Sequence, residues 1–129
     1  MNKILVEVSV GELLDKISIL EIKQEKIKDT ESLKFINDEY NVLKDELDKN
    51  IKTDEKLKNL FNSLKEINSK LWVIEDDKRT CEKNKDFGEK FIKLSRDVHF
   101  LNDDRAKIKL EINNHTGSTI KEIKEYTNY

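Results

Sequence analysis

The sequence contains no proline, only three glycines and a single cysteine among its 129 residues. A β fold with many tight turns would need more glycine and proline, so their scarcity favours helices joined by polar turns. The lone Cys81 excludes an intrachain disulfide and any metal site built from several cysteines. No apolar run approaches the roughly 18 residues of a membrane span. These absences predict an all-α protein without a membrane span.

An excess of charge of one sign is also missing. The 25 basic and 27 acidic residues leave a net charge of -2, and lysine and glutamate are interleaved throughout. Proteins that bind nucleic acid usually carry a basic excess or a basic stripe, so nucleic acid is not an expected partner. The start of the chain, MNKILVEVSV, is too short for a secretory signal, and Glu7 and Glu12 make this region too acidic for one, which predicts a cytoplasmic location. The length predicts a single domain over residues 1–129.

The stretch from Ser9 to Ile27 has the strongest pattern in the chain. Ser9 and Glu12 form an S-x-x-E capping box, a typical helix start. Apolar residues then recur at steps of three and four, and further apolar residues lie off that face. The residues on the face are Val10, Leu13, Ile17, Leu20 and Ile27, and those off it are Leu14, Ile19 and Ile22. A helix with more than one apolar side must be covered from several sides, so we expect it at the bundle centre or at a subunit interface.

The segment before this helix, KILVEV at residues 3–8, is typical of a short strand. Its alternation places Ile4, Val6 and Val8 on one face and Leu5 on the other. No second strand is evident, so this one must lie along the bundle or pair with the same strand of another subunit. The segment and the two-sided helix together predict a homodimer or a complex with a partner protein. The predicted interface residues are Ile4, Val6, Val8, Leu14, Ile19 and Ile22.

Three further main helices are predicted from apolar periodicity. Their apolar faces run from Leu33 to Leu47, from Leu57 to Ile74 and from Phe87 to Ile112. The first two helices are either separated by a turn at residues 28–32 or form one helix whose buried face changes. Asp29, Thr30 and Ser32 favour the turn.

The expected helix ends come from capping residues. Thr53 is a candidate N-cap for the third helix, and Asp86 with Glu89 forms a capping box for the fourth. Gly117 predicts the end of the fourth helix, and Thr119 could start a short C-terminal helix. Because short loops make successive helices antiparallel neighbours, the expected fold is an elongated up-down helical bundle with coiled-coil-like periodicity.

Metal and cofactor sites are not expected. A di-iron bundle needs Glu-x-x-His pairs, but Arg96 precedes His99 by three residues and Ile112 precedes His115. No H-E-x-x-H, P-loop or EF-hand pattern is present. The carboxylate pair Glu21 and Glu25 resembles those that hold Mg²⁺ in all-α nucleotide pyrophosphatases, but a solvated helix face is the favoured interpretation. Cys81 lies far from His99, which argues against a Cys–His nucleophile.

Arginine is scarce, with only three among the 25 basic residues. Each one is a candidate for a position that needs the planar guanidinium rather than an ammonium group. Arg105 falls on the buried face of its helix, opposite Leu64 in an antiparallel hairpin, where an unpaired cation would be very unfavourable. The candidate partners for Arg105 are Asp103, Asp104, Glu66 and Asp15.

Two interpretations of these cations stay open. They form ion pairs that fix the helix register, or they line an anion pocket inside the bundle. The candidate anion-binding residues are Arg105, Arg96, Lys16, Arg79 and His99.

Three stretches, VGELLDKISILEIKQEKI, LWVIEDDKR and LNDDRAKIKLEIN, carry a resemblance to a known family. The chain resembles a small uncharacterised bacterial and phage family, a domain of unknown function, over nearly its whole length. Members tend to be encoded near lipopolysaccharide and surface-polysaccharide genes, so the resemblance implies a role around envelope glycans. It implies no activity and no catalytic residue.

The stretch LLDKISILEIKQEKI also resembles, in its spacing, the first helix of the all-α chorismate mutases. Those enzymes hold a dicarboxylate with arginine and lysine, whereas this helix has Lys16 and Lys23 and no arginine. Two hypotheses follow. The first is a non-enzymatic helical interaction or accessory protein linked to envelope polysaccharide synthesis, and the second is a small-molecule anion-binding protein or enzyme with its site in the bundle.

Overall fold

The computed structural model describes residues 2–120, 123–125 and 127, and four helices account for most of them. Helix α1 spans Val10–Lys26, α2 spans Thr30–Asn50, α3 spans Glu55–Lys83 and α4 spans Glu89–Thr116. The prediction of an all-α bundle with four main helices is confirmed. No helix in the described part of the chain is long and apolar enough to cross a membrane.

Polar side chains cap three of the four helix starts. Ser9 accepts a hydrogen bond from the backbone N–H of Glu12, and Asp29 accepts one from Ser32, so α1 and α2 are separate helices with a turn between them. Asp54, not Thr53, caps α3 by accepting from the N–H of Leu57. A carboxylate beside these free N–H groups also opposes the positive end of the helix dipole.

The predicted Asp86–Glu89 capping box is not present. Helix α4 begins at Glu89 with Gly88 as its N-cap, and no side chain caps this end. Asp86 instead accepts a hydrogen bond from the N–H of Gly88, two residues on. This is a local turn in the loop, and aspartate forms such turns readily.

At the other end of α4, Gly117 stops the helix as predicted. Its φ of 70° lies in the left-handed region that glycine adopts without strain. The N–H groups of Gly117 and Ser118 both donate to the carbonyl of Asn113.

Helix α1 lies at the centre of the bundle, as its two-sided apolar pattern predicted. It packs against α2, α3 and α4, and α3 and α4 form a long antiparallel hairpin. Seven of its 17 residues are buried. A helix that meets three neighbours has no wholly solvated face, which accounts for apolar residues on more than one side.

Helix α2 is the peripheral element. Within the described residues it packs closely against α1 alone, so the expected close pairing of α2 with α3 is not seen. Only Ile36 and Leu47 of its 21 residues are buried. Leu47 joins the apolar core, whose other members come from the remaining three helices. The buried core residues are Leu14, Ile17, Leu47, Leu57, Leu64 and Ile112.

The two ends of the chain carry no secondary structure in the described residues. Residues 2–9 precede α1 without forming a strand, and Ile4, Leu5 and Val6 are 86%, 92% and 72% exposed. This segment therefore does not lie along the bundle. The predicted C-terminal helix beginning at Thr119 includes residues 121 and 122, which are outside the described residues, and the described residues 118–120 and 123–125 are not helical.

Candidate functional site

The most distinctive polar feature is a buried carboxylate at the centre of the bundle. Asp15 of α1 is only 1% exposed. Its Oδ1 accepts hydrogen bonds from Arg105 Nε on α4 and from Asn68 Nδ2 on α3, both at 2.9 Å. Arg105 also donates through a terminal nitrogen to Asp15 Oδ2, so the contact is bidentate. Of the four candidate partners for Arg105, the structure selects Asp15, and a planar guanidinium is the group that can make this pair.

Two further residues complete this polar group, which we call the Asp15 cluster (Asp15, Ser18, Asn68, Arg105 and Lys109). Asn68 Nδ2 also donates to Ser18 Oγ at 2.8 Å, and Ser18 in turn donates to the backbone carbonyl of Asp15. Lys109 Nζ donates to Glu12 Oε2 at 2.7 Å and lies 3.9 Å from Asp15 Oδ2. The cluster joins α1, α3 and α4 through ion pairs and hydrogen bonds. Within the described residues, no buried side-chain nitrogen or oxygen lacks a hydrogen-bond partner.

The cluster keeps Asp15 ionised. Burial acts to raise the pKa of the Asp15 carboxyl, but the hydrogen bonds from Arg105 and Asn68 and the charges of Arg105 and Lys109 outweigh it. The net effect is a pKa below the ordinary value of 3.8. A buried carboxylate that is ionised and fully hydrogen-bonded is suited to fixing helix positions, and it is a poor proton acceptor at neutral pH.

The start of α1 is fastened to the end of α4. The N–H of Gly11 donates to Asn113 Oδ1 at 2.7 Å, and the N–H of Val10 donates to Ser118 Oγ at 3.3 Å. A Cβ at Gly11 would lie 2.6 Å from the backbone carbonyl oxygen of Lys109. Only glycine allows the two helix backbones to approach this closely.

A concave pocket of about 390 Å³ opens beside the Asp15 cluster, and we call it the Trp72 pocket. Its apolar lining comes from Ile19, Ile22, Leu71 and Trp72, and its polar lining from Asn68, Glu75, Asp76, Arg79 and Arg105. Arg79 makes no ion pair within the described residues. The two carboxylates that line the pocket, Glu75 and Asp76, balance its two guanidinium groups, so the lining carries no excess of positive charge.

The five predicted anion-binding residues do not converge on one site. Arg105 and Arg79 both line the Trp72 pocket, but Arg96 lies in a separate surface hollow on α4 beside Ile92 and Phe100. Lys16 and His99 are exposed, and they line neither of these two hollows nor the groove between α2 and α3. The His99 ring lies 4.7 Å from the Phe100 ring, centroid to centroid.

A second concave surface results from the gap between α2 and α3, and we call it the α2–α3 groove. Its volume is about 430 Å³. Leu14 and Ile17 of α1 lie at its floor, and Leu47, Leu57 and Phe61 add apolar surface. Its charged and polar lining consists of Glu21, Lys44, Asp48, Thr53, Lys58 and Asn62.

The predicted interface residues divide into two groups. Ile4, Val6 and Val8 are exposed, at 86%, 72% and 41%. Leu14 and Ile22 are 2% and 1% exposed because they pack inside this chain, and Ile19 is half-buried at the Trp72 pocket. The exposed apolar surface at the start of the chain is thus separate from the apolar residues of α1.

The acidic pair Glu21 and Glu25 belongs to an ion-pair network. Lys65 Nζ lies 3.1 Å from Glu21 Oε1 and 2.8 Å from Glu25 Oε1. Tyr40 also donates its hydroxyl to Glu21 at 3.2 Å. In the part of the chain that the structure describes, no three histidine, cysteine, aspartate or glutamate side chains are placed to hold a metal ion.

Sequence reasoning missed Asn68, Lys109 and Gly11. Asn68 follows Ile67 on a helix whose apolar residues dominated the pattern, and Lys109 reads as one of many surface lysines. Gly11 carried a usable signal, because glycine inside a helix is unfavourable by about 1 kcal/mol relative to alanine and often marks a close approach. Asp15 was one of four candidates, and only the packing of α1 on α4 distinguishes it from the others.

The fold and the cluster together define a class of protein, an all-α four-helix bundle whose central helix is held by a buried ion-pair network. The chain belongs to a Family of unknown function (DUF6165), whose model matches residues 4–129. This confirms the resemblance to a domain of unknown function over nearly the whole chain. No curated protein and no solved structure matches it.

Proposed function

We propose that this protein is a non-enzymatic helical interaction protein that self-associates and serves envelope polysaccharide synthesis in the cytoplasm. The exposed apolar N-terminal segment carries this proposal. Ile4, Leu5 and Val6 are consecutive and are each more than 70% exposed. A contiguous apolar surface of this kind usually marks a binding interface.

The state of the Asp15 cluster supports a structural rather than a catalytic role. Its carboxylate is ionised and its side chains bond to one another across three helices. A catalytic acid or base needs a pKa near the working pH, and the pKa of Asp15 moves the other way. The link to polysaccharide synthesis rests on the family resemblance, which implies that genes for this kind of protein lie near surface-polysaccharide genes.

Sedimentation equilibrium at micromolar concentration tests the self-association. We expect a dimer for the wild type and a monomer for Ile4→Asp/Val6→Asp. A matched control is Phe35→Asp, since Phe35 is an apolar residue on α2 that is also 70% exposed. A wild-type protein that stays monomeric would contradict self-association, and co-purification from the native cell would then test for a different protein partner.

The Trp72 pocket favours a second candidate function, the binding of a small anion. Arg79 lines it without an ion-pair partner in the described residues, and Trp72 and Ile19 supply apolar surface. Ligand sites typically combine a concave apolar surface with a few polar groups. The pocket lining has as many carboxylates as guanidinium groups, so it does not favour an anion by its net charge. Anion binding is therefore the second candidate.

A thermal-shift screen of dicarboxylates and sugar phosphates tests the second candidate. A ligand present at 100 times its dissociation constant adds about 2.7 kcal/mol to the free energy of unfolding. We expect Arg79→Gln to abolish such a shift and Arg96→Gln, in the other hollow, to retain it. Arg79 is the better substitution because removal of Arg105 would leave the buried Asp15 without its main partner. A screen in which no anion raises the melting temperature would reject this candidate.

A further inference from the structure

We propose that the α2–α3 groove is the docking site for the N-terminal segment of a second copy of this chain. The N-terminal segment here means residues 2–8. This inference rests on the proposed self-association and adds where the interface lies. Each copy would place its segment in the groove of the other, which gives a two-fold symmetric dimer with two identical contacts.

The segment has the pattern that such a groove requires. In an extended chain, Ile4, Val6 and Val8 lie on one face, while Lys3, Leu5 and Glu7 lie on the other. The apolar face can enter the groove and leave both charges at its rim. All of these residues are exposed in the single chain.

The groove offers the complementary surface. Leu14 and Ile17 at its floor come from the central helix, and Phe61 on α3 is half-buried. The groove is open because α2 packs closely against α1 alone. An extended apolar segment would therefore cover the side of α1 that α2 and α3 leave accessible.

The charges at the groove match those of the segment in one direction. Lys58 lies near the start of α3, and it makes no ion pair within the described residues. Glu21 lies seven residues beyond Leu14 on α1, roughly 10 Å along the helix axis. Lys3 and Glu7 are about 13 Å apart in an extended chain, so Glu7 can meet Lys58 while Lys3 comes near Glu21. Glu21 already contacts Lys65 and accepts from Tyr40, so Lys3 would join an existing network and the Glu7–Lys58 pair would be the new contact.

The position of Ser9 favours a second copy over the same chain. Ser9 caps α1, and the next two residues, Val10 and Gly11, bond to Ser118 and Asn113 on the α4 side of α1. The groove follows α1 from Leu14 to Glu21, toward the C-terminal end of that helix. To reach its own groove, the segment would have to reverse direction at Ser9, whereas a neighbouring copy can receive it without that reversal.

A charge-reversal series tests the proposed pairing. An exposed ion pair changes a binding constant by up to about fivefold. Symmetry repeats the contact, so we expect Glu7→Lys or Lys58→Glu to raise the dimer dissociation constant by up to about 25-fold. The double variant Glu7→Lys/Lys58→Glu should restore most of the loss. Glu111→Lys, on the exposed surface of α4, is the control and should change nothing. If the double variant is no better than either single variant, the pairing of Glu7 with Lys58 is wrong.

Cysteine cross-linking tests the location directly. A Val6→Cys chain is mixed with an Asn62→Cys chain, both in a Cys81→Ala background, and oxidised with diamide. A disulfide between positions 6 and 62 can form in this mixture only between two copies. We expect that product, and we expect none when Asn62→Cys is replaced by Glu111→Cys.

Four other outcomes would overturn the inference. Links between two copies of Val6→Cys alone would indicate strand pairing instead of groove docking. Efficient intramolecular linkage in a Val6→Cys/Asn62→Cys chain, without the mixed product, would place the segment in its own groove. A dimer in sedimentation with no 6–62 product would leave the proposed self-association intact and reject this interface, while a monomer would reject both.

Discussion

Asp15 and Arg105 form a buried ion pair that joins α1 to α4. Removing one partner of a buried pair leaves the other charge without compensation, which typically destabilises a protein by about 3–5 kcal/mol. We expect Asp15→Asn to approach the lower end of that range, because Arg105 is partly exposed and can turn toward water. Urea unfolding of the purified variant measures the change.

The double variant Asp15→Leu/Arg105→Leu provides the comparison. Replacing a whole buried pair with apolar residues is often close to neutral, so we expect it to be less destabilised than the sum of the Asp15→Leu and Arg105→Leu variants. A coupling energy of about 1 kcal/mol or more would fit the bidentate contact. Additive effects would mean that the two residues act independently.

The lowered pKa of Asp15 predicts how stability changes with pH. Because the pKa is lower in the folded state than in the unfolded chain, the stabilisation is fully present above the unfolded value of about 3.9. It is lost as the pH falls through the folded pKa. Between pH 6 and pH 3 the wild type should therefore lose more stability than Asp15→Asn, as measured by urea unfolding at each pH. Parallel curves for the two proteins would contradict this role.

Individual buried polar residues were the hardest feature to predict. Periodicity showed that Arg105 is on a buried face, and the need to compensate its charge narrowed its partner to four residues. Neither argument could select Asp15 from these four residues, because that choice depends on the rotation of α1 relative to α4. The role of Asn68 could not be predicted for the same reason, because its hydrogen bonds form only where three helices meet.

Gly11 controls the approach of α1 to α4. A methyl group there would meet the backbone of Lys109, which cannot move as a side-chain tip would. We expect Gly11→Ala to destabilise the protein by roughly 1–3 kcal/mol, even though alanine is the better helix former. Thermal or urea unfolding provides the measurement.

Gly88→Ala is the matched control. A methyl group at Gly88 would make only an ordinary contact, 3.4 Å from Asp86 Oδ1. The backbone φ of Gly88 is -83°, which suits any residue. Because Gly88 is the N-cap of α4 and alanine is a poorer N-cap than glycine, the stability of this variant should fall by about 0.5–1 kcal/mol, less than the loss at Gly11. Equal effects at both positions would show that the loss of glycine, and not the close approach, is responsible.

The helices themselves were predictable because each has a strong local signal. Ser9, Asp29 and Gly117 mark ends that follow from backbone hydrogen bonding within a few residues. The capping box at Asp86 failed because Asp86 bonds to the loop N–H of Gly88 and α4 starts later, at Glu89. Local sequence alone does not distinguish these two uses of an aspartate.

Of the four helices in the bundle, α2 packs against the fewest others. Among the described residues it packs closely against α1 alone and buries two residues, whereas α1 buries seven. We expect the amides of α2 to exchange with deuterium faster than those of α1 and the paired segments of α3 and α4. Hydrogen exchange read by mass spectrometry checks this, and equal protection of α1 and α2 would contradict it.

Bundle topology was predicted in outline and missed in one detail. Short connections made successive helices neighbours for α1 with α2 and for α3 with α4. The same rule failed for α2 with α3, because α1 is covered from three directions and so separates them. The two-sided apolar pattern of α1 contained part of that information, since it indicated a helix at the bundle centre or at a subunit interface.

The pairing of Asp15 with Arg105 joins residues 90 positions apart in the chain. At a ribosomal rate of about 5–20 residues per second, α1 emerges roughly 5–20 s before the helix that completes its surroundings. During that interval only α2 and α3, of the three helices that pack against α1, can cover its apolar residues, and the carboxylate of Asp15 lacks Arg105 and Lys109. Of the four described helices, α4 is synthesised after the other three and completes the surroundings of α1, so a nascent chain truncated before Arg105 would present its central helix to chaperones.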